Sequence, residues 1–288
     1  MLTFFRPAAW ALTVLSALAA TAQAGNWPNW RGPQNNGISD EKGLPTEFSR
    51  EKNVAWRVEL PGPGGSTPVV WGDRVFLTTV TEEGDLLTMA FSPAGKELWR
   101  AKVSGGNREV RGDEGNSASN SPSTDGKHVW SMMADGMLAC HTVDGQEVWK
   151  FNLQDRYGRF DIQFGMTSTP VLDDGRLYLQ LIHGKWSKDP CRGMVVCLDA
   201  ATGGEIWKQV RETDATDENK HSYASAMIYD YGGKKLLLTH GADYIIGQSL
   251  ETGKELWRCG DLNIKSKYDP TLRLVASPAC ADGIIVVP

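Results

Sequence analysis

The chain contains no Cys-Cys pair, no Cys-x-x-Cys-His sequence and no cluster of basic residues. The missing haem-attachment sequence excludes a covalently bound cytochrome module. Five cysteines (Cys140, Cys191, Cys197, Cys259 and Cys280) follow no repeated spacing, so no disulfide framework is implied. Their odd number leaves one thiol free or paired outside the chain. Cys191 and Cys197 are the nearest pair that an oxidising compartment would permit. Cys140, Cys197 and Cys280 read better as small hydrophobes in strands. The five histidines, His128, His141, His183, His221 and His240, occur singly, never at the i, i+2 or i, i+4 spacing of a metal pair. Nucleophile-elbow, phosphate-loop and His-Glu-x-x-His motifs are all missing.

Charge and hydropathy exclude further classes. The formal net charge is −5, from 30 basic and 35 acidic residues. That balance disfavours nucleic acid and anionic lipid as partners. A long apolar run occurs once, from Ala8 to Ala20 behind Arg6, and it is too short to span a bilayer. With Ala22-Gln23-Ala24 after it, the run reads as a secretory signal over residues 1–24, cleaved before Gly25. The rival reading is a buried first helix. The residue at the expected new N-terminus is Gly25 rather than cysteine, so no lipid anchor is expected, and the mature chain is expected to be periplasmic or secreted.

What is abundant is a repeat. Gly95-Lys96-Glu97-Leu98-Trp99, Gly145-Gln146-Glu147-Val148-Trp149, Gly203-Gly204-Glu205-Ile206-Trp207 and Gly253-Lys254-Glu255-Leu256-Trp257 share one phrase. A small-Pro pair precedes three of them (Thr67-Pro68, Ser121-Pro122, Thr169-Pro170); Ser225-Ala226 precedes the fourth, and Ser277-Pro278 recurs later. Between these marks lie four short β-branched and aromatic runs separated by Gly/Asp/Pro turns, which predicts a four-stranded antiparallel meander per repeat. A single four-stranded sheet cannot bury both of its faces, so neighbouring repeats must stack. The fold class is therefore all-β, a β-propeller. A β-sandwich is the runner-up, but it does not require tryptophan at the same offset each time. Blades are expected at about 66–101, 120–151, 167–209 and 222–259, with a partial fifth at 275–288, in one domain over 25–288. Val54–Val58 resembles a lone fourth strand that closes a ring.

A meander also sorts the connections by face. Turns from first to second strand, and from third to fourth, share one side and are tight. The blade-to-blade connections share the other, with 22 residues between Trp99 and Pro122 and 20 between Trp149 and Pro170. The insertion His183–Gly193 falls on that same side. Long loops on a rigid scaffold are where binding usually resides.

The Gly-x-x-x-Trp phrase, above all Leu198-Asp199-Ala200-Ala201-Thr202-Gly203-Gly204-Glu205-Ile206-Trp207, resembles the tryptophan-docking repeat of the quinoprotein-like, or PQQ-like (pyrrolo-quinoline quinone), propellers. The opening Asn26-Trp27-Pro28-Asn29-Trp30-Arg31-Gly32-Pro33 resembles that of secreted PQQ-like repeat proteins of planctomycete-type bacteria. The resemblance spans the mature chain and implies an eight-bladed parent of roughly 400 residues. Four blades and a part are counted here, so a partial gene product that self-associates through an open blade face is expected.

Two functions follow from the family. One is a non-enzymatic secreted or periplasmic scaffold, related to the lipoprotein of the outer-membrane β-barrel assembly machine. The alternative is a quinoprotein oxidoreductase using PQQ and Ca²⁺, with catalytic residues partly outside this sequence. Such dehydrogenases usually carry a vicinal disulfide, which is missing here, and no residue points specifically to PQQ or calcium. No catalytic or metal residue is therefore assigned, and no cofactor is expected. Candidate ligand-binding residues on the long-loop face are Arg108, Arg111, Asn116, Trp186, His221 and Tyr223, facing an unidentified protein or carbohydrate. Tyr157, Phe160 and Phe164 either join that surface or pack under the loops. Trp99, Trp149, Trp207 and Trp257, with Gly95, Gly145, Gly203 and Gly253, are expected to dock blades.

Overall fold

A computed structural model describes residues 25–107, 115–184, 193–281 and 283–288. The expected signal segment, Arg108, Arg111, Trp186 and Cys191 lie outside the described residues. Strands β1 (Val69–Trp71), β2 (Arg74–Val80), β3 (Asp85–Phe91) and β4 (Glu97–Gly105) form the first antiparallel sheet in sequence order. The second comprises β5 (Ser123–Thr124), β6 (His128–Met132), β7 (Met137–Thr142) and β8 (Glu147–Asn152). A short helix, α1 (Leu153–Tyr157), follows it. The third comprises β9 (Val171–Asp173), β10 (Arg176–Leu181), β11 (Met194–Asp199) and β12 (Glu205–Val210). The fourth comprises β13 (Met227–Tyr231), β14 (Lys234–Gly241), β15 (Tyr244–Gln248) and β16 (Glu255–Cys259). Strands β17 (Ala279–Ala281) and β18 (Ile284–Val286) pair alone.

The first strands lie side by side, β1 next to β5, β5 next to β9 and β9 next to β13, as the inner strands of a propeller do. The central strand β3 (Asp-Leu-Leu-Thr-Met-Ala-Phe) is buried along nearly its whole length because the second blade covers one face and Val58 and Leu60 pack on the other. Outer strands alternate, with one face wet.

Each outer strand carries a bulge at the same place. Glu97 stands opposite Phe91 and Trp99 opposite Ala90, which leaves Leu98 without a partner; Val148, Ile206 and Leu256 repeat the pattern. An extra residue re-aims the side chains beyond it. It brings residues three apart onto one face, which explains the repeated pairs Glu97–Arg100, Glu147–Lys150, Glu205–Lys208 and Glu255–Arg258. These exposed pairs contribute little to stability. The residues under the tryptophans are small (Ala90, Cys140, Cys197, Gly247), so Cys140 and Cys197 serve as fully buried, free thiols.

The tryptophans join blades. Trp99 covers Gly145, Trp149 covers Gly203 and Trp207 covers Gly253; a Cβ on these glycines would lie 2.5–3.2 Å from the ring. Each indole N–H donates to a backbone carbonyl just ahead of the covered glycine: Val143 at 2.8 Å, Ala200 at 3.2 Å and Leu250 at 3.0 Å. The glycines hold φ between +68° and +89°, so the turn and the close approach both require glycine. Trp56 covers Gly95 and donates to Pro93 in the same way. Val54–Val58 thus takes the place of a docking strand beside the first blade, although it forms no ladder there. Trp257 lies over Gly247 of its own blade, in the place that Ala90, Cys140 and Cys197 take under the other three.

The Ser/Thr heading each inner strand has a task that its proline neighbour conceals. Thr67 N–H donates to Ser121 Oγ (2.9 Å), Ser121 N–H to Thr169 Oγ1 (3.1 Å), Thr169 N–H to Ser225 Oγ (2.9 Å) and Ser225 N–H to Ser277 Oγ (2.9 Å). One hydroxyl per blade satisfies the amide of the blade before it. Ser121→Ala would leave the Thr67 amide unpaired, and chemical denaturation is expected to show a loss of about 1–3 kcal/mol. Ser121→Thr keeps the acceptor and is expected to lose little.

Candidate functional site

The blade-to-blade connections form the loop-rich face. Ahead of the inner strands they present Ser119, Thr167, Tyr223 and Val275 between the buried Ala118 and Asn120, Met166 and Ser168, Ser222 and Ala224, and Leu274. This row is hydroxyl, aromatic and apolar, and it carries no charge.

Of the residues expected to bind ligand, the structure brings two together. The buried His221 meets Tyr223 edge-on at 5.1 Å, and Tyr223 packs against Phe164 at 5.8 Å. Arg273 lies 5.1 Å above Phe164 and pairs with Glu218 at 3.5 Å. Burial pushes the Tyr223 phenol up to about 12, so it stays neutral. The group clasps the connections that lead to the third, fourth and fifth inner strands. Asn116 does not join it: its Oδ1 accepts from the Ala118 amide (2.8 Å) in a local turn. The short separation Asn-x-Ala favours that self-capping over contact with a ligand. Tyr157 is also no surface residue, being buried with Leu153, Ile162 and Met166, with Phe160 packed against them. Helix α1, capped by the Asn152 side chain accepting from the Gln154 amide, turns Leu153 and Tyr157 inward.

Two features were not foreseen. One is a cavity of about 230 Å³ lined by Ala134, Gln154, Arg159, Phe160, Ile162 and Phe164. The other is a polar cluster around the β14–β15 turn. Tyr244 Oη donates to Asp214 (2.8 Å), Lys265 bridges Asp214 (3.1 Å) and Asp243 (3.5 Å), and Tyr268 Oη donates to Asp243 (3.1 Å). Burial raises the Asp243 carboxyl, whereas the Tyr244 hydroxyl and Lys265 hold Asp214 low. Beside them Arg211 is buried and donates to Thr239 Oγ1, the Gly241 carbonyl and the Tyr244 carbonyl at 2.6–2.7 Å. Burial brings its guanidinium down to about 9. These contacts join residues far apart in sequence, and no local motif marks them.

Two open cavities lie on the opposite, tight-turn face. One, of about 820 Å³, is walled by Pro28, Asn29, Trp71, His128, Trp130 and Arg176; another, of about 780 Å³, by Trp27, Pro33, Ile38 and Trp71. Both flank the segment 25–42, which the sequence offered no reason to place there.

Among the described residues, no three of His, Cys, Asp and Glu come together in an arrangement that could hold a metal ion. Calcium takes six to eight oxygen ligands, with carboxylates prominent. The uncharged row on the loop face and the lysine-bridged aspartates do not fit a calcium–quinone pair, and no reaction step is assigned through one. No helix among these residues is long and apolar enough to cross a membrane.

Comparison with known proteins places the architecture. The family profile described as "Outer membrane protein assembly factor BamB" matches residues 46–259. Polyvinylalcohol dehydrogenase of Sphingopyxis sp. (strain 113P3) is 23% identical over 233 residues, covering 76% of this chain and 34% of that protein. The enzyme of the same name from Pseudomonas sp. is 25% identical over 195 residues, covering 63% and 28%. The chain thus spans about a third of the length of the curated relatives it matches. Among solved structures, a europium-containing methanol dehydrogenase superposes with a TM-score of 0.57 at 15% identity, covering 82% of this chain and 49% of that one. At that identity the likeness establishes the fold alone.

Proposed function

The chain belongs to the propeller family described as outer membrane protein assembly factor BamB, and from that premise we propose a non-catalytic scaffold that binds a protein on its loop-rich face. One observation carries this reading. Several charged side chains on that face already hold neighbouring connections together, as Asp214–Lys265–Asp243 and Glu218–Arg273 do. Next to the inner strands the face presents the neutral row Ser119, Thr167 and Tyr223, suited to an interface rather than to acid–base chemistry. The signal-like first 24 residues support a periplasmic or secreted site of action.

A second reading, a quinone-dependent oxidoreductase, draws on the polyvinylalcohol dehydrogenase relatives. Two measurements separate the readings. Loading the chain with PQQ and Ca²⁺ or Eu³⁺ is expected to give neither saturable quinone binding nor dye-coupled alcohol oxidation. A photo-crosslinking residue at Thr167 is expected to trap a discrete protein from the periplasmic fraction, whereas the same probe at Lys150 on an outer strand traps none. Quinone-dependent turnover, or equal trapping at both positions, overturns the scaffold reading.

A further inference from the structure

We infer that residues 26–33 are an internal peptide ligand of the propeller axis, contacting one blade after another and separable from the rest of the fold. Trp27 forms an antiparallel bridge with Val70 on β1, donating its N–H to the Val70 carbonyl (2.7 Å) and accepting the Val70 N–H (2.9 Å). The Pro28 carbonyl accepts the Thr124 N–H of β5 (2.9 Å). The Asn29 side-chain amide imitates a peptide group against Leu172 of β9, donating and accepting at 3.4 Å. Arg31 reaches Met227 Sδ at the head of β13 (2.9 Å) and the Ser277 and Pro278 carbonyls ahead of β17. Five inner strands are thus met in order by four residues.

The physical reason lies in the blade. An inner strand is an edge strand, and its outward N–H and C=O groups need partners. The wedge between blades has no room for a further strand in each sheet, but a single extended segment on the axis can serve all of them. Pro28 suits its position because only its carbonyl is used there. The segment also shapes itself. The Trp27 ring lies on Gly32, at φ +77°, where a Cβ would come within 2.7 Å of it. The Gly37 N–H closes on the Arg31 carbonyl (2.9 Å), and the Arg31 guanidinium stacks 4.3 Å from the Trp30 ring. By contrast, residues 38–53 are exposed throughout and belong to no strand, so they act as a tether between this segment and the docked Val54–Val58.

The test uses the full chain with a specific protease site in place of residues 44–50. After cleavage the released piece is expected to co-elute with the propeller on gel filtration and to be exchanged by a synthetic peptide of residues 25–40. The same peptide with Arg31→Ala is expected to compete at least tenfold more weakly, and with Ile38→Ala equally well. A piece that elutes alone, whether or not the remainder stays folded, overturns the inference, as does undiminished competition by the Arg31→Ala peptide. Hydrogen exchange provides a second route without cleavage. Gly32→Ala in the intact chain is expected to speed exchange at the Val70, Thr124 and Leu172 amides at least tenfold and to leave Leu238 unchanged. Unchanged exchange at the first three sites, or equal acceleration at Leu238, overturns it too.

Discussion

Trp207→Ala is expected to lower the stability of the chain by about 3–5 kcal/mol, the range for truncating a buried tryptophan, as read from chemical denaturation. The side chain is 8% exposed and joins Tyr178 and Cys197 of its own blade to Ile228 and Leu237 of the next. Removing it opens a cavity between two sheets and takes from the Leu250 carbonyl the shortest of its three hydrogen bonds, leaving those from Arg176 and Tyr178. Three controls make the explanation specific. Trp207→Phe keeps most of the apolar area but loses the indole donor, so it is expected to lose much less. Gly253→Ala attacks the same contact from the other side, because its Cβ would fall 2.5 Å from the ring at φ +69°. Trp56→Ala removes a ring that is 40% exposed and is expected to have a smaller effect. Equal losses at Trp56 and Trp207 would show that docking on the next blade is not what these residues contribute.

Acid is expected to destabilise the chain through His240, by about 3 kcal/mol between pH 6.5 and pH 4. The ring is fully buried; its Nδ1 lies 3.1 Å from the Ala276 carbonyl and donates there in the neutral tautomer. Nε2 meets no partner. Burial, opposed by that hydrogen bond and aided by nearby Arg211, brings the imidazole from 6.5 down to about 4. Above pH 6.5 the ring is neutral folded or unfolded, and it adds no pH dependence. Between 6.5 and 4 the unfolded chain binds a proton that the folded chain refuses, so stability falls as pH falls. Below about 4 both states are protonated and the loss is complete. His141, also lowered by burial, acts in the same sense. His240→Gln separates the two, because Gln180 stands at the matching place in the third blade and donates to the Ala224 carbonyl (2.9 Å) of the next connection. The variant is expected to fold and to lose markedly less stability between pH 7 and pH 4.5. An unaltered pH profile would assign the acid sensitivity to other groups.

The docking tryptophans and their glycines were legible because each requirement is local: a positive φ in a turn, a large ring at a fixed offset, and a repeat that exposes both. The bulge was not legible, since Leu98, Val148, Ile206 and Leu256 look like ordinary apolar strand residues until their register is known. The hydroxyl chain was half legible. Ser121 and Thr169 were conspicuous beside their prolines, but the amide each serves lies 54 and 48 residues away. The turn that Asn116 makes with Ala118 was not legible either, since a polar residue in a long loop does not announce its own hydrogen bond. For Tyr157 and Phe160 the structure decides between the two readings the sequence left open: Tyr157 is buried on α1, and Phe160 packs against the same cluster.

By itself, then, the amino-acid sequence determined the repeat, the four-stranded blade, the face that carries the long connections and the identity of the rivets between blades. Each of these depends on backbone conformation and side-chain size within a few residues. Tertiary structure alone decided what Trp27-Pro28-Asn29-Trp30-Arg31 does, which charges on the loop face are already committed, and where the open cavities lie. Those outcomes depend on how closely successive blades wedge around an axis. That closure brings Arg31 to Pro278, and no local pattern in the chain encodes it.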